Sequence, residues 1–362
     1  AKPLEDRSGD PDSMAFLNYT RGTTGKSKGV IHSHNTHLAG LTACIAENFM
    51  RRGKNPHVTP LFHISGIAVS NVALMLGNTL FIMPAFEPGK LLQLVQDARI
   101  EHILLVPTMI KMMLDHPTFE DFDISSLKYL VYGASPIDDE LIRQARKRLP
   151  GVELMQIYGQ TECVPATFLF DEDHCEAGFV SGRTRSAGHA ALGVDIKIRN
   201  DEGACLSAGQ VGEISMRAPY KMKGYLNMPD QTASTIRDGW LYTGDAGYLS
   251  DDNYLYVVDR VKDMIITGAE NVYSAEVENA LHQHAAVLNC AVVGLPHEKW
   301  GETVHAEVVL KPGQPANEQA LIEHCREFIA GYKIPKSIAF VDAIPLTAVG
   351  KIDKVTIREK YA

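Results

Sequence analysis

Short apolar runs alternate with amphipathic stretches through the first part of the chain. Ile103-Leu104-Leu105-Val106 and Tyr129-Leu130-Val131-Tyr132 predict buried strands of a parallel sheet. Between them Thr108–Leu114 is helix-like, and Asp138–Arg148 predicts an amphipathic helix with acidic residues in its first turn. The uncharged stretch Ile64–Phe86 predicts a buried helix through about Leu76, a Gly77-Asn78 turn and a strand Thr79–Met83. Asn71, Gly77, Asn78 and Pro84 count against a membrane span there. From about Thr167 to Val258 the texture changes to short alternating runs split by Gly, Asn and Asp. Val194–Ile198, Gly212–Met216 and Tyr254–Val258 are its predicted strands, and they suggest a small β-barrel or β-rich subdomain. After Arg260 the α/β alternation resumes, with helices Ser274–Gln283 (Ser274 as N-cap candidate) and Ala320–Ala330. Strands are predicted at Val287–Gly294, His305–Leu310 and Ser337–Val341. The expected fold class is α/β. A large N-terminal domain, with layered α/β over 1–166 and a barrel-like β-rich part over 167–259, precedes a small C-terminal α+β domain over 260–362.

Composition narrows the function classes. A chain of 362 residues exceeds one ordinary core, and 45% apolar with 22% charged residues is ordinary for a globular protein. Net charge is −9 and the basic residues form no long run, so no nucleic-acid partner is expected. The six cysteines contain no C-x-x-C pair, which reads as reduced, buried packing residues and not as a disulfide frame or zinc site. Ala1–Asp12 is polar and charged, without a secretory signal; the expectation is a cytoplasmic protein with no integral membrane segment. His32, His34 and His37 invite a metal reading, since alternation on a strand would place His32 and His34 on one face. No carboxylate or cysteine completes the set, so they are read as structural, as are His282 and His284 at a helix end.

The segment with the most chemistry is Tyr19-Thr20-Arg21-Gly22-Thr23-Thr24-Gly25-Lys26-Ser27-Lys28-Gly29. Glycines allow tight turns and close backbone approach, while hydroxyls, backbone N–H groups and lysines supply donors and charge. A phosphate chain suits such a loop; the bland alternative is an exposed cationic turn. A Walker A loop would need glycine where Thr20 stands, so that pattern fails.

The segment resembles the phosphate-binding loop of the adenylate-forming superfamily of acyl-CoA synthetases, luciferases and adenylation domains, which reads Tyr-Thr-Ser-Gly-Thr-Thr-Gly-x-Pro-Lys-Gly. Arg21 and Ser27 depart from it, standing where serine and proline are usual. Further matches follow in the family's order. Leu61–Gly66 resembles the segment beside the acyl pocket, with His63 implied as a gate and Ser65 leaving room for a larger acyl group. Gly133-Ala134-Ser135-Pro136 is similar to the turn that passes the adenine. Tyr158-Gly159-Gln160-Thr161-Glu162 resembles the Tyr-Gly-x-Thr-Glu motif, implying that Tyr158 stacks on adenine, Thr161 meets the α-phosphate and Glu162 helps hold Mg²⁺. Read without its neighbours, that motif is also compatible with a capped helix start.

Tyr242-Thr243-Gly244-Asp245 implies a ribose-binding Asp245. In Asp259-Arg260-Val261-Lys262-Asp263 the resemblance places Arg260 near ribose or phosphate and a hinge at Lys262; an Arg260–Asp263 surface pair is the alternative. Gly268–Tyr273 resembles the loop of the second half-reaction, with Ala269 where glycine is frequent and Ser274 following where proline is common. Pro345–Ile352 resembles the motif of the catalytic lysine, here Lys351.

The resemblance implies an acyl-CoA ligase that uses ATP, Mg²⁺ and coenzyme A to activate a small carboxylic acid. Catalytic roles fall to Lys351, Thr161, Glu162 and His63, with Glu162 as metal ligand. Nucleotide-binding roles fall to Thr20, Gly22, Thr23, Thr24, Gly25, Lys28, Gly133, Ala134, Ser135, Tyr158, Gly159, Thr161, Asp245, Arg260, Gly268 and Lys351. Asn289–Val309 is similar to fatty and aromatic acyl-CoA ligases, which favours the CoA branch. The family carries a further N-terminal segment, so the large domain is expected to be short at that end. Two alternatives stay open: a nucleotide-binding or interaction remnant without turnover, and an acyl-AMP-forming enzyme with a non-CoA acceptor.

Overall fold

Apolar runs too short for helices build the central sheet. The structure, a computed structural model, describes residues 9–21, 27–268, 270–346 and 352–361. Strands His102–Leu105, Tyr129–Gly133 and Glu153–Gln160 lie side by side in parallel. Every residue of Tyr129–Gly133 is buried, as befits a strand covered on both faces. Helices Pro107–Leu114 and Asp139–Arg148 supply crossovers. Asp138 caps the second, its carboxylate accepting from Leu141 N at 2.7 Å, and Arg146, Lys147 and Arg148 sit at the helix's negative end. The chain then reverses: Cys163–Leu169 runs antiparallel to Glu153–Gln160, and His189–Ala190 completes the sheet edge.

A second sheet presents the loop. Met14–Arg21 and Ser27–Ser33 form an antiparallel hairpin, and Gly224–Tyr225 pairs on the far side of its second strand. Ser33 caps the helix His34–Ala46 through a reciprocal box with Thr36. His34 is therefore the first helical residue and not a same-face strand neighbour of His32, a correction that the cap explains. Lys54–His57 and Thr79–Ile82 pair in parallel, joined by the helix Ile64–Leu76, which ends on Gly77 at φ +70°.

In the β-rich part, Asp195–Arg199, Gly212–Arg217, Trp240–Leu249 and Ile236–Arg237 pair in that order, and Leu255–Arg260 also pairs with Trp240–Leu249. The expected barrel is corrected to an open sheet. Its apolar face turns Ile198, Ile214 and Leu255 into a packed core instead of closing on itself. The small C-terminal domain is a sheet ordered Glu270–Val272, Ile265–Thr267, Gly301–Leu310 and Val287–His297, with Ser337–Phe340 parallel to Gly301–Leu310. Helices Ser274–His282 and Glu318–Arg326 bury Val277, Leu281 and Leu321 against Val292, Ala306 and Val308. The helix Lys354–Lys360 follows at the end of the described chain.

Cys44, Cys163, Cys290 and Cys325 are buried, but Cys175 and Cys205 are exposed, against the expectation that all six pack inside. Cys175 precedes the short surface helix Glu176–Ser181 and Cys205 lies between strands of the open sheet. Among the described residues no helix is long and apolar enough to cross a membrane.

Candidate active site

The chain places one residue set at the carboxyl end of Tyr129–Gly133 and on the hairpin beside it. Gly133 stands in register with Ile157 of the next strand. A Cβ there would lie 2.3 Å from the Ile157 carbonyl oxygen, so only glycine fits. Ala134 follows at φ +69°, a left-handed conformation costly for an alanine and typical of backbone held for a purpose. Ser135 continues the turn. Tyr158-Gly159-Gln160-Thr161-Glu162 does not open a helix. It closes a β-hairpin between Glu153–Gln160 and Cys163–Leu169, where Gly159 packs under Val164.

Tyr158 is tied to Asp245, its phenol donating to Oδ2 at 2.6 Å. Arg260 Nε meets Asp245 Oδ1 at 2.7 Å, because Asp245 and Arg260 face each other across paired strands. Arg260 therefore pairs with Asp245 and not with Asp263, whose partner is Arg358 at 2.8 Å. Burial, and then the Asp245 charge, push the Tyr158 phenol well above its ordinary value, so it stays a donor. Asp245 raises the Arg260 guanidinium further, with Tyr158, Glu162 and Asp263 contributing after it. Groups distant in sequence thus share one electrostatic neighbourhood. Asp245 is only 5% exposed, yet its two oxygens offer about four acceptor positions, leaving capacity for hydroxyls of a sugar.

A second set lies on the stem of the glycine-rich loop. Thr20 and Lys28 are cross-strand partners below its tip. Lys28 Nζ sits 4.9 Å over the Tyr225 ring, and the Tyr225 phenol donates to Glu162 Oε1 at 2.8 Å. The turn carrying Thr161 and Glu162 is anchored from behind: His32 Nε2 bonds Thr161 O at 2.8 Å and Met222 N bonds Glu162 O at 2.7 Å. Burial lowers the His32 imidazole, which keeps it neutral in this structural role. Tyr225 was not anticipated from the sequence; it carries no motif of its own, and only its pairing beside Ser27–Ser33 reveals it. Tyr225→Phe is expected to lower unfolding free energy by about 1.5–3 kcal/mol, the worth of a hydrogen bond to a charged group. Denaturant unfolding at constant slope measures this, and an unchanged midpoint would contradict the pairing.

His63 caps the helix Ile64–Leu76, its Nδ1 lying 2.8 Å from Ser65 Oγ. Asn18, in the middle of the strand Met14–Arg21, donates its Nδ2–H to Phe62 O at 3.0 Å and ties this segment to the loop stem. Gly268, at φ +62°, accepts the Trp300 ring so closely that any side chain would meet it at 2.8 Å. Gly22, Thr23, Thr24, Gly25 and Lys351 lie outside the described residues.

A divalent cation finds no all-protein cage: among the described residues no group of three or more His, Cys, Asp or Glu could hold one. The buried carboxylate of Glu162, linked through Tyr225 to Lys28 on the loop stem, suits Mg²⁺, which binds through one or two carboxylates plus substrate phosphates.

Comparison with known proteins matches these features to one group. The family model described as AMP-binding enzyme matches residues 2–226, and that of the AMP-binding enzyme C-terminal domain matches 276–351. A feruloyl-CoA synthase of Amycolatopsis is 36% identical over 97% of this chain and 70% of its own length. The medium/long-chain-fatty-acid–CoA ligase FadD8 of Mycobacterium tuberculosis is 37% identical over 99% of this chain and 63% of its own. Among solved structures, the amide bond synthetase McbA of Marinactinospora thermotolerans superposes with a TM-score of 0.89 at 33% identity, covering 97% of this chain and 70% of that one. ATP-bound MatB of Rhodopseudomonas palustris gives 0.89 at 30% identity, covering 98% and 69%.

Proposed function

We propose that this chain, which belongs to the AMP-binding enzyme family, is an AMP-forming acid–thiol ligase that converts a carboxylic acid to its coenzyme A thioester. The observation that carries this reading is the convergence of Tyr158, Asp245 and Arg260 with Glu162, Tyr225 and Lys28 around the Gly133–Ser135 turn and the loop stem. One oxygen of the acid's carboxylate attacks the α-phosphorus of ATP, and the bond to pyrophosphate breaks. The thiol of coenzyme A then attacks the acyl carbon, AMP leaves with the bridging oxygen, and the thiol proton passes to solvent. A carboxylate is a weak nucleophile, so positioning and charge neutralisation carry the first step.

In this reading Thr20, Gly22, Thr23, Thr24, Gly25 and Lys28 hold the β- and γ-phosphates, and Tyr158 with Gly133, Ala134, Ser135 and Gly159 forms the adenine shelf. Asp245 and Arg260 take the ribose and Thr161 the α-phosphate. Lys351 spans carboxylate and α-phosphate, while His63 and the Gly268 loop serve the thiol step. Mg²⁺ on Glu162 would offset phosphate charge. The domain division, with a boundary near Lys262, belongs to the same proposal.

The test is pyrophosphate release from ATP with a panel of aliphatic and aromatic carboxylic acids, with and without coenzyme A. Acid-dependent release and a thioester product are expected. No release by the folded protein with any acid would contradict the reading. Acyl-AMP without thioester would direct it to another acceptor.

A further inference from the structure

The start of the helix Ser274–His282 lacks a local side-chain cap: Tyr273 occupies the cap position without a capping bond, and Ser274 is the first helical residue. The cap comes from elsewhere. Asp259, on the strand Leu255–Arg260 of the open β-sheet, accepts at Oδ2 from Ser274 N at 2.6 Å, Ser274 Oγ at 2.5 Å and Ala275 N at 3.4 Å. Its Oδ1 accepts from Arg260 N at 2.7 Å. A carboxylate from one packed unit thus satisfies the orphan donors of a helix in the next, with the helix dipole adding to the attraction.

Ser274 also links onward. Its hydroxyl accepts from Lys354 Nζ while donating to Asp259, using both faces of one oxygen. Lys354 pairs with Glu278 at 2.9 Å, and Glu278 accepts Val292 N at 2.8 Å. Lys354 opens the final helix, a few residues beyond Lys351, and Arg358 of that helix pairs with Asp263 in the Val261–Asp263 turn at 2.8 Å. The segment behind Lys351 is therefore tied across the turn to the strand that carries Arg260. A proline at 274, the residue common in the superfamily, has neither N–H nor hydroxyl and could make none of these bonds.

We propose that Ser274, with Asp259 and Lys354, is an orientation lock. These are positioning residues: they hold the C-terminal domain in the arrangement seen here, and so favour acyl-AMP formation over thioester formation. The arrangement superposes on ATP-bound MatB with a TM-score of 0.89 over 98% of the chain, which requires both domains to align at once. The proposal rests on the ligase reading above.

Ser274→Pro is the decisive variant. Proline is tolerated at the first helical position, and Tyr273 at φ −86°, ψ 121° already has the extended backbone that precedes a proline. The variant should still fold, with its unfolding midpoint lowered by the loss of the Ser274 N–H and hydroxyl bonds to Asp259. Acid-dependent exchange of pyrophosphate into ATP should fall about tenfold relative to the attack of coenzyme A on supplied acyl-AMP, the effect of roughly one charge-assisted hydrogen bond. Ser274→Ala, which keeps the N–H, should fall between. An unchanged ratio of the two half-reactions in folded Ser274→Pro overturns the lock, including the case where both rates drop together.

A second readout needs no turnover. A spin label on exposed Cys205, in a Cys175→Ser background, is paired with one on Glu323→Cys; the remaining cysteines are buried. One distance is expected with Ser274, and a broadened or second population with Ser274→Pro. Identical distributions overturn the lock whatever the chemistry, whereas a wild-type protein without exchange activity but with the expected distance change contradicts only the ligase reading.

Discussion

Asp245→Ala is expected to lower unfolding free energy by about 1.5–3 kcal/mol and to weaken ATP binding at least about tenfold. The carboxylate is buried and holds two partners from other elements, the Tyr158 phenol at 2.6 Å and Arg260 Nε at 2.7 Å. Alanine takes from Tyr158, already raised by burial, its carboxylate acceptor. The Arg260 side chain is 45% exposed, so water recovers part of that loss and the ion pair is discounted accordingly. Asp245→Asn keeps the shape and an acceptor for Tyr158, and should sit between alanine and wild type in both stability and affinity. Denaturant unfolding and ATP titration calorimetry separate the two effects. Wild-type ATP affinity in a folded Asp245→Ala protein would remove Asp245 from the site.

Gly133→Ala is expected to cost about 1–3 kcal/mol through overpacking, and to raise the ATP requirement several-fold in whatever fraction folds. The added methyl would stand 2.3 Å from the Ile157 carbonyl oxygen and 3.0 Å from Ile157 Cγ2. The atom it strikes is backbone of the neighbouring strand, so relief requires the sheet to part. That displacement propagates into Ala134, whose φ of +69° shapes the turn proposed for adenine. Gly331→Ala is the control: nothing lies within 4 Å of its position and its backbone is unstrained. Thermal midpoints compare the two, and a Gly133→Ala protein as stable as Gly331→Ala would show that the close approach does not constrain this site.

Local signals made much of this fold legible. The apolar runs at 103–106 and 129–132 and the capped helix after Asp138 follow from periodicity and end chemistry, and each lies within a residue or two of its observed position. The order of motifs brought Tyr158, Asp245 and Arg260 to attention although they span a hundred residues of chain. What sequence could not supply were pairings between elements. Glu162 is held by Tyr225, which reaches it only because a two-residue strand pairs beside Ser27–Ser33. Ser274 looked like a cap and is instead capped, by Asp259 from another sheet. Alternation places His34 on a strand, because the Ser33–Thr36 box that starts a helix there competes with it over only a few residues. The β-rich stretch gave its strands but not their closure, since whether a sheet curls or packs flat depends on which core accepts its apolar face.

In the proposed reaction a carboxylate of the substrate attacks the α-phosphorus of ATP. That step is followed by supplying a carboxylic acid labelled with ¹⁸O in both carboxylate oxygens, together with ATP and coenzyme A, and weighing the products by mass spectrometry. One ¹⁸O is expected in AMP, one in the thioester carbonyl and none in pyrophosphate. Unlabelled AMP, or ADP and phosphate in place of AMP and pyrophosphate, would contradict it.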